Sequence, residues 1–161
     1  MGWIKDLELK IACMTFVLTT SMVTLNVILR YVLGESLLFS EEIAYLGFAH
    51  TIFLGAAYLY RMRVMISVEF VFDMLSRRAR HILVIASLII LQITMLAMTY
   101  ISALLASDGW VRRTAYLEMP YAYIHSAPVI GFALMSFYTA VMLYQTLSGQ
   151  ELHFAEAADQ K

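Results

Sequence analysis

Chemistry inside long apolar runs would have to come from the few polar side chains set there, because an ionisable or amide group is costly in hydrocarbon and is kept for a reason. In this sequence those groups include Asn26, Arg30, His50 and Gln92. Thr15, Thr19, Met22, Asn26 and Arg30 recur at helical spacing and draw a partly polar stripe down one face of a helix. A lipid-facing Arg is disfavoured by about 2.5–3.5 kcal/mol at mid-depth, less near the interface. The stripe is therefore expected to face protein. On the plainer reading Asn26 bonds a neighbouring helix of the same chain and Arg30 reaches outward to water; on the functional reading they touch a substrate. Glu35, Glu41 and Glu42 lie close by in sequence, and a salt bridge from Arg30 to Glu41 or Glu42 would pin the first helix to the second.

Gly47, Thr51 and Gly55 stand four residues apart, followed by Ala56 and Ala57. Small residues in one row let two helix backbones approach closely, so these are candidate packing positions. His50 lies beside the row and is expected to be a hydrogen-bonded structural residue. A haem would need a second histidine at matching depth, and His81, His125 and His153 fall near helix ends or beyond. Gln92 is expected to bond a neighbouring helix. No HExxH, GxSxG or phosphate-binding loop occurs, and no pair of carboxylates shares a depth in the apolar runs, so neither an enzyme nor a bound cofactor is expected. The 11 methionines are scattered through those runs as packing residues.

The elements that must position these residues follow from composition. Of 161 residues 61% are apolar and 14% charged, with a net charge of −1 and a mean hydropathy of +0.75. That excludes an ordinary soluble domain and a nucleic-acid binder working by bulk charge. The single cysteine, Cys13, excludes an intrachain disulfide and CxxC chemistry. A spanning helix needs about 20 mostly apolar residues, and four stretches qualify: 11–33, 43–60, 82–106 and 121–147. Ser40-Glu41-Glu42 reads as an N-cap followed by acids at the start of the second. Pro128 is expected to kink the fourth. The fold class is thus an all-α integral membrane protein, a single four-helix domain over 1–147 with a polar tail over 148–161.

Basic residues resist translocation, and eight of the 11 fall in the N-terminal tail, the second loop and the C-terminal tail, leaving Arg30, Arg112 and Arg113 opposite. Both termini are expected on the cytoplasmic side, with Trp3 and Trp110 near opposite membrane faces. The N-terminus lacks a myristoylation pattern and reads as an uncleaved signal anchor. No internal repeat is evident. In the second loop Val68, Val71, Phe72 and Leu75 fall at helical spacing, with Glu69, Asp73 and Arg77 on another side. This predicts an amphipathic interfacial helix over 67–78 on the cytoplasmic side.

The order of Asn26-Val-Ile-Leu-Arg30-Tyr31, Ser40-Glu41-Glu42-Ile-Ala44, Phe53-Leu-Gly55-Ala56-Ala57, Ile66-Ser-Val68-Glu69 and Leu117-Glu-Met-Pro120 resembles the small membrane subunit of tripartite ATP-independent periplasmic (TRAP) transporters. The likeness runs over about residues 10 to 147. It departs at Leu37, Leu38 and Phe39, where a tryptophan is usual, at Met65, where a histidine is common, and at Glu69, where an aspartate is.

The resemblance implies a non-catalytic subunit in the bacterial inner membrane. Its partners would be a larger membrane subunit, which moves an organic acid by a sodium-driven elevator motion, and a periplasmic substrate-binding protein. It implies subunit packing for Asn26, Gly47, His50, Thr51 and Gly55, and structural polar roles for Arg30, Glu41, Glu42, Glu69 and Asp73. Trp110, Arg112 and Arg113, the outward basic cluster, become candidates for docking the binding protein. The same cluster could instead lie against lipid headgroups. An alternative for the whole chain is the membrane anchor or b-type-cytochrome-like subunit of a redox complex. A self-sufficient carrier would need a charge at mid-depth, and none is present.

Overall fold

The computed structural model describes residues 6–62 and 77–148. These form four helices: α1 (Leu7–Val32), α2 (Leu38–Arg61), α3 (Arg77–Asp108) and α4 (Ala122–Leu147). All four are long and apolar enough to cross a membrane, α3 over His81–Asp108. They overlap the four apolar runs and extend several of them by a turn. At about 1.5 Å per residue the 32 residues of α3 reach about 48 Å, well beyond an about 30 Å hydrocarbon layer. The expected interfacial helix, with Glu69 and Asp73, lies outside the described residues except for Arg77 and Arg78, which open α3; of the tail, only Ser148 is described.

The helices lie in the order α1, α2, α4, α3: α1 packs on α2, α2 on α4, and α4 on α3. Two antiparallel hairpins, α1–α2 and α3–α4, are thus joined through α2 and α4, which run in the same direction, as the contacts His50 with Ser126, Phe53 with Gly131 and Tyr60 with Thr139 require. The arrangement is an open row with α1 and α3 at its edges.

Two of the three seams are set by a glycine under a larger residue. Between α1 and α2, a Cβ on Gly47 would fall 2.4 Å from Thr19 Oγ1 and 3.2 Å from the Thr15 carbonyl oxygen, so only glycine permits this approach. One turn on, the hydroxyls of Thr15 and Thr51 share a hydrogen bond of 2.9 Å. Between α2 and α4, a Cβ on Gly131 would lie 2.7 Å from Phe53 Cβ and 3.0 Å from its carbonyl oxygen. The Phe53 and Phe132 rings meet edge to face at 5.3 Å. Below them Ala57, Tyr60 and Met135 form the core, with Met95 of α3 packed against it.

That core is thin, and large side chains such as Phe16, Val17, Ile90 and Ile93 stand exposed along the helices. In water such a surface would drive association; against lipid or other helices it carries no penalty. α4 runs unbroken from Ala122 to Leu147 with Pro128 inside it. Since proline lacks an N–H, the carbonyl one turn earlier gives up its usual helical partner.

Candidate functional site

At one end of the row lie the α1–α2 turn and the α3–α4 loop. α1 stops at Val32 and Gly34 turns the chain with φ +72°, a left-handed conformation that glycine adopts without strain. Asn26 Oδ1 then accepts hydrogen bonds from the Leu37 amide (2.9 Å) and the Ser36 hydroxyl (3.3 Å). It does from α1 what an N-cap side chain does, satisfying a free amide at the start of α2. Ser40, expected as that cap, lies inside the first turn. α2 begins at Leu38 with Leu37 as its capping residue, and the buried Ser40 hydroxyl donates back to the Leu37 carbonyl at 2.6 Å. The capping oxygen comes from across the hairpin because the turn brings Asn26 opposite residues 36 and 37.

The α3–α4 loop is a tight, internally bonded hairpin. A Cβ on Gly109 would fall 2.6 Å from the Ala122 nitrogen, so glycine lets the end of α3 meet the start of α4. Tyr121 N–H donates to the Arg112 carbonyl (3.0 Å), Thr114 N–H to the Met119 carbonyl (2.9 Å), and Met119 N–H to Thr114 Oγ1 (3.1 Å). An antiparallel bridge joins Arg113 to Pro120. Glu118 takes φ +50°, a costly conformation for a residue with a Cβ. Arg113 Nη1 steadies it by donating to the Glu118 carbonyl at 3.2 Å.

The tip of this hairpin is held from α2. The carboxylate of Glu42 accepts the amide of Tyr116 on Oε1 (2.8 Å) and that of Leu117 on Oε2 (3.0 Å). Hydrogen bonds to an ionised acceptor are stronger than neutral ones, and two from consecutive amides fix direction as well as distance. This corrects the expected ion pair with Arg30. Among the described residues Arg30 and Glu41 are exposed and form no salt bridge, and the ion pairs found are those of Arg61. An exposed guanidinium stays solvated at little cost, whereas amides at a loop tip have no other partner, so the carboxylate serves the loop.

Trp110, Arg112 and Arg113 come together on this loop, all exposed, with Val111 between them. Trp110 meets the Tyr123 ring edge to face at 5.8 Å, which braces it against α4. Arg113 is partly engaged with the Glu118 carbonyl, while the side chain of Arg112 stands out from the hairpin. The site is thus an exposed aromatic and basic surface on an internally bonded loop.

The other candidates sit along the helices. Gly47 and Thr51 face α1, whereas nothing lies within 4 Å of a Cβ built on Gly55, so the three do not form one seam. A step of eight residues along a helix turns by about 80°, which carries Gly55 off the face of Gly47. His50 Nδ1 donates to the Leu46 carbonyl at 2.9 Å and its Nε2 lies 3.4 Å from Ser126 Oγ on α4, so the ring bridges two helices. Gln92 Nε2 donates to Ser136 Oγ at 2.9 Å, from α3 to α4.

At the opposite end Arg61 pairs with Asp6 (3.4 Å) and Glu8 (3.6 Å), and Tyr138 donates to Glu8, which ties the start of α1 to α2 and α4. Sequence reading passed over Gly109, Gly131, Thr139 and this charge cluster. A glycine directly after Asp108, where an apolar helix ends, was a readable signal for the first. Among the described residues no group of three or more His, Cys, Asp or Glu could hold a metal ion.

The family model described as "Tripartite ATP-independent periplasmic transporters, DctQ component" matches residues 19–149. That interval holds α2, α3 and α4, about half of α1, and both connections at the Asn26–Glu42 end. No curated protein matches the chain.

Proposed function

Because the chain belongs to the family of DctQ components of tripartite ATP-independent periplasmic transporters, we propose that it is the non-catalytic small membrane subunit of such a system. In this reading it scaffolds a large elevator-type transport subunit and helps dock a periplasmic substrate-binding protein, for sodium-driven uptake of an organic acid. It lies in the bacterial inner membrane with both termini cytoplasmic, as the distribution of Lys and Arg favours. The α3–α4 loop then faces the periplasm.

The observation that carries the proposal is the division of labour within the chain. Most polar side chains in the apolar helices are spent on one another or on backbone: Thr15 on Thr51, His50 on Leu46, Gln92 Nε2 on Ser136 and Tyr60 on Thr139, while Gln92 Oε1 is buried without a hydrogen-bond partner. Such groups hold helices and leave little to bind a solute. Two exposed arginines, Arg112 and Arg113, stand instead beside Trp110 on one clamped loop. A fixed scaffold with a rigid outer prominence suits a subunit that supports and docks. The open row also leaves apolar faces of α1 and α3 free for a larger membrane partner. Arg112 and Arg113 would meet acidic residues of the binding protein, with Trp110 beside them.

The test is uptake by the reconstituted three-component system. With Arg112→Glu and Arg113→Glu together, the binding-protein concentration for half-maximal uptake should rise about tenfold, equivalent to about 1.4 kcal/mol, and its dependence on salt should flatten. Unchanged uptake with unchanged salt dependence would remove the docking role. Failure of the chain to copurify with a large membrane subunit would remove the scaffold role.

A further inference from the structure

We infer that Glu42 is a positioning residue for binding-protein docking: from α2 it sets the attitude of the α3–α4 loop that carries Trp110, Arg112 and Arg113. The inference rests on the docking role proposed above and adds to it the device that makes the loop a preformed surface. Three observations carry it. The loop's internal bonds, between Arg112 and Tyr121 and between Thr114 and Met119, hold the two strands of the hairpin together but do not orient it against the rest of the protein. The bonds that do so at the tip come from Glu42, 74 and 75 residues earlier in the chain, on a central helix of the row. The tip also contains Glu118 at φ +50°, a conformation that persists only where its surroundings impose it.

The chemistry is specific to a carboxylate. Each of its oxygens accepts one of two consecutive amides, so Glu42 behaves as a two-point clamp on the backbone and leaves the outward side chains of the loop free. Glu42→Gln keeps the volume but replaces one acceptor oxygen by an NH2 group facing an N–H donor, and one point of the clamp is lost. The hairpin keeps its own bonds and pivots. A pivoting loop spends ordering entropy when the partner docks, which weakens docking while leaving the steps after docking unaltered.

Two measurements on the reconstituted system test this, with Glu41→Gln as the control that removes the same charge from an exposed neighbouring position. The first is hydrogen exchange of the amides of Tyr116 and Leu117. The second is uptake against binding-protein concentration. In E42Q those two amides should exchange at least tenfold faster, and the half-maximal binding-protein concentration should rise about three- to tenfold with the maximal rate kept; E41Q should match the unaltered protein in both. Unchanged exchange in E42Q overturns the clamp. Faster exchange with an unchanged half-maximal concentration overturns the positioning role, and so does a fall in maximal rate alone. If the Arg112 and Arg113 reversals also leave that concentration unchanged, the docking reading itself has failed; if they raise it and E42Q does not, only the role of Glu42 has.

Discussion

Replacing Thr139 by valine should destabilise the joint between the two hairpins far more than replacing its hydrogen-bonding partner, Tyr60, by phenylalanine. Thr139 is fully buried and its hydroxyl carries one proton, which it donates to the Met135 carbonyl at 2.8 Å. Tyr60 Oη, 2.8 Å from Thr139 Oγ1, must therefore be the donor in the bond that links α2 to α4. Thr139→Val preserves shape but leaves the tyrosine O–H buried without an acceptor, and an orphaned donor costs about 1–3 kcal/mol. Interhelical bonds in membranes lie near the low end, about 0.6 and at most about 1.7 kcal/mol, so a loss of about 1.5 kcal/mol is expected. Tyr60→Phe removes the donor and leaves a hydroxyl that still bonds Met135; about 0.5 kcal/mol is expected. The double variant should resemble Tyr60→Phe alone, because no donor is then stranded. The coupling is thus about 1.5 kcal/mol, or about a twelvefold change in the unfolding equilibrium. Unfolding in mixed micelles of rising denaturing-detergent content, followed by circular dichroism, measures all four corners of the cycle. Single effects that add to within about 0.3 kcal/mol would refute the donor assignment and the bond.

Gly131→Ala should destabilise the isolated subunit by about 1–3 kcal/mol, since the new methyl meets Phe53 and its backbone carbonyl, whereas Gly55→Ala, with open space around it, should be neutral or stabilising by up to about 1 kcal/mol; the same unfolding assay separates them. Asn26→Ala removes the acceptor for the Leu37 amide and the Ser36 hydroxyl and should cost about 0.5–2 kcal/mol, with faster amide exchange at Leu37 as its local signature. At the other end, Asp6→Ala should change stability by less than about 0.5 kcal/mol because its ion pair is half exposed, while Glu8→Ala, which strands the Tyr138 hydroxyl, should cost about 1–2 kcal/mol in thermal unfolding.

How far the site was legible depended on how far its partners lie apart in sequence. The stripe of Thr15, Thr19 and Asn26 is visible as helical spacing, and in the structure each bonds to α2 or its turn. Asn26 sits close in the chain to the turn it caps, so a local reading reaches it. His50 and Gln92 were readable as bonded residues because a polar group in an apolar run needs a partner; which partner was not. Glu42 shows the limit. Its proximity to Arg30 suggests an ion pair, and spacing gives no hint that a loop 74 residues later would bring two unpaired amides to it. Gly55 shows the converse limit, since a small residue marks where a close approach is allowed without saying that one occurs.

The amino-acid sequence by itself determined that the chain lives as four apolar helices, because their length and lack of charge leave no other way to satisfy the backbone in hydrocarbon. It also determined that charge gathers at the helix ends. Only the tertiary structure decided the order of the row, with α2 and α4 side by side and running in the same direction. Apolar periodicity cannot choose between neighbours when lipid and protein are equally apolar solvents; that choice falls to shape, in Gly47 under Thr19 and Gly131 under Phe53, and to single hydrogen bonds between residues distant in the chain.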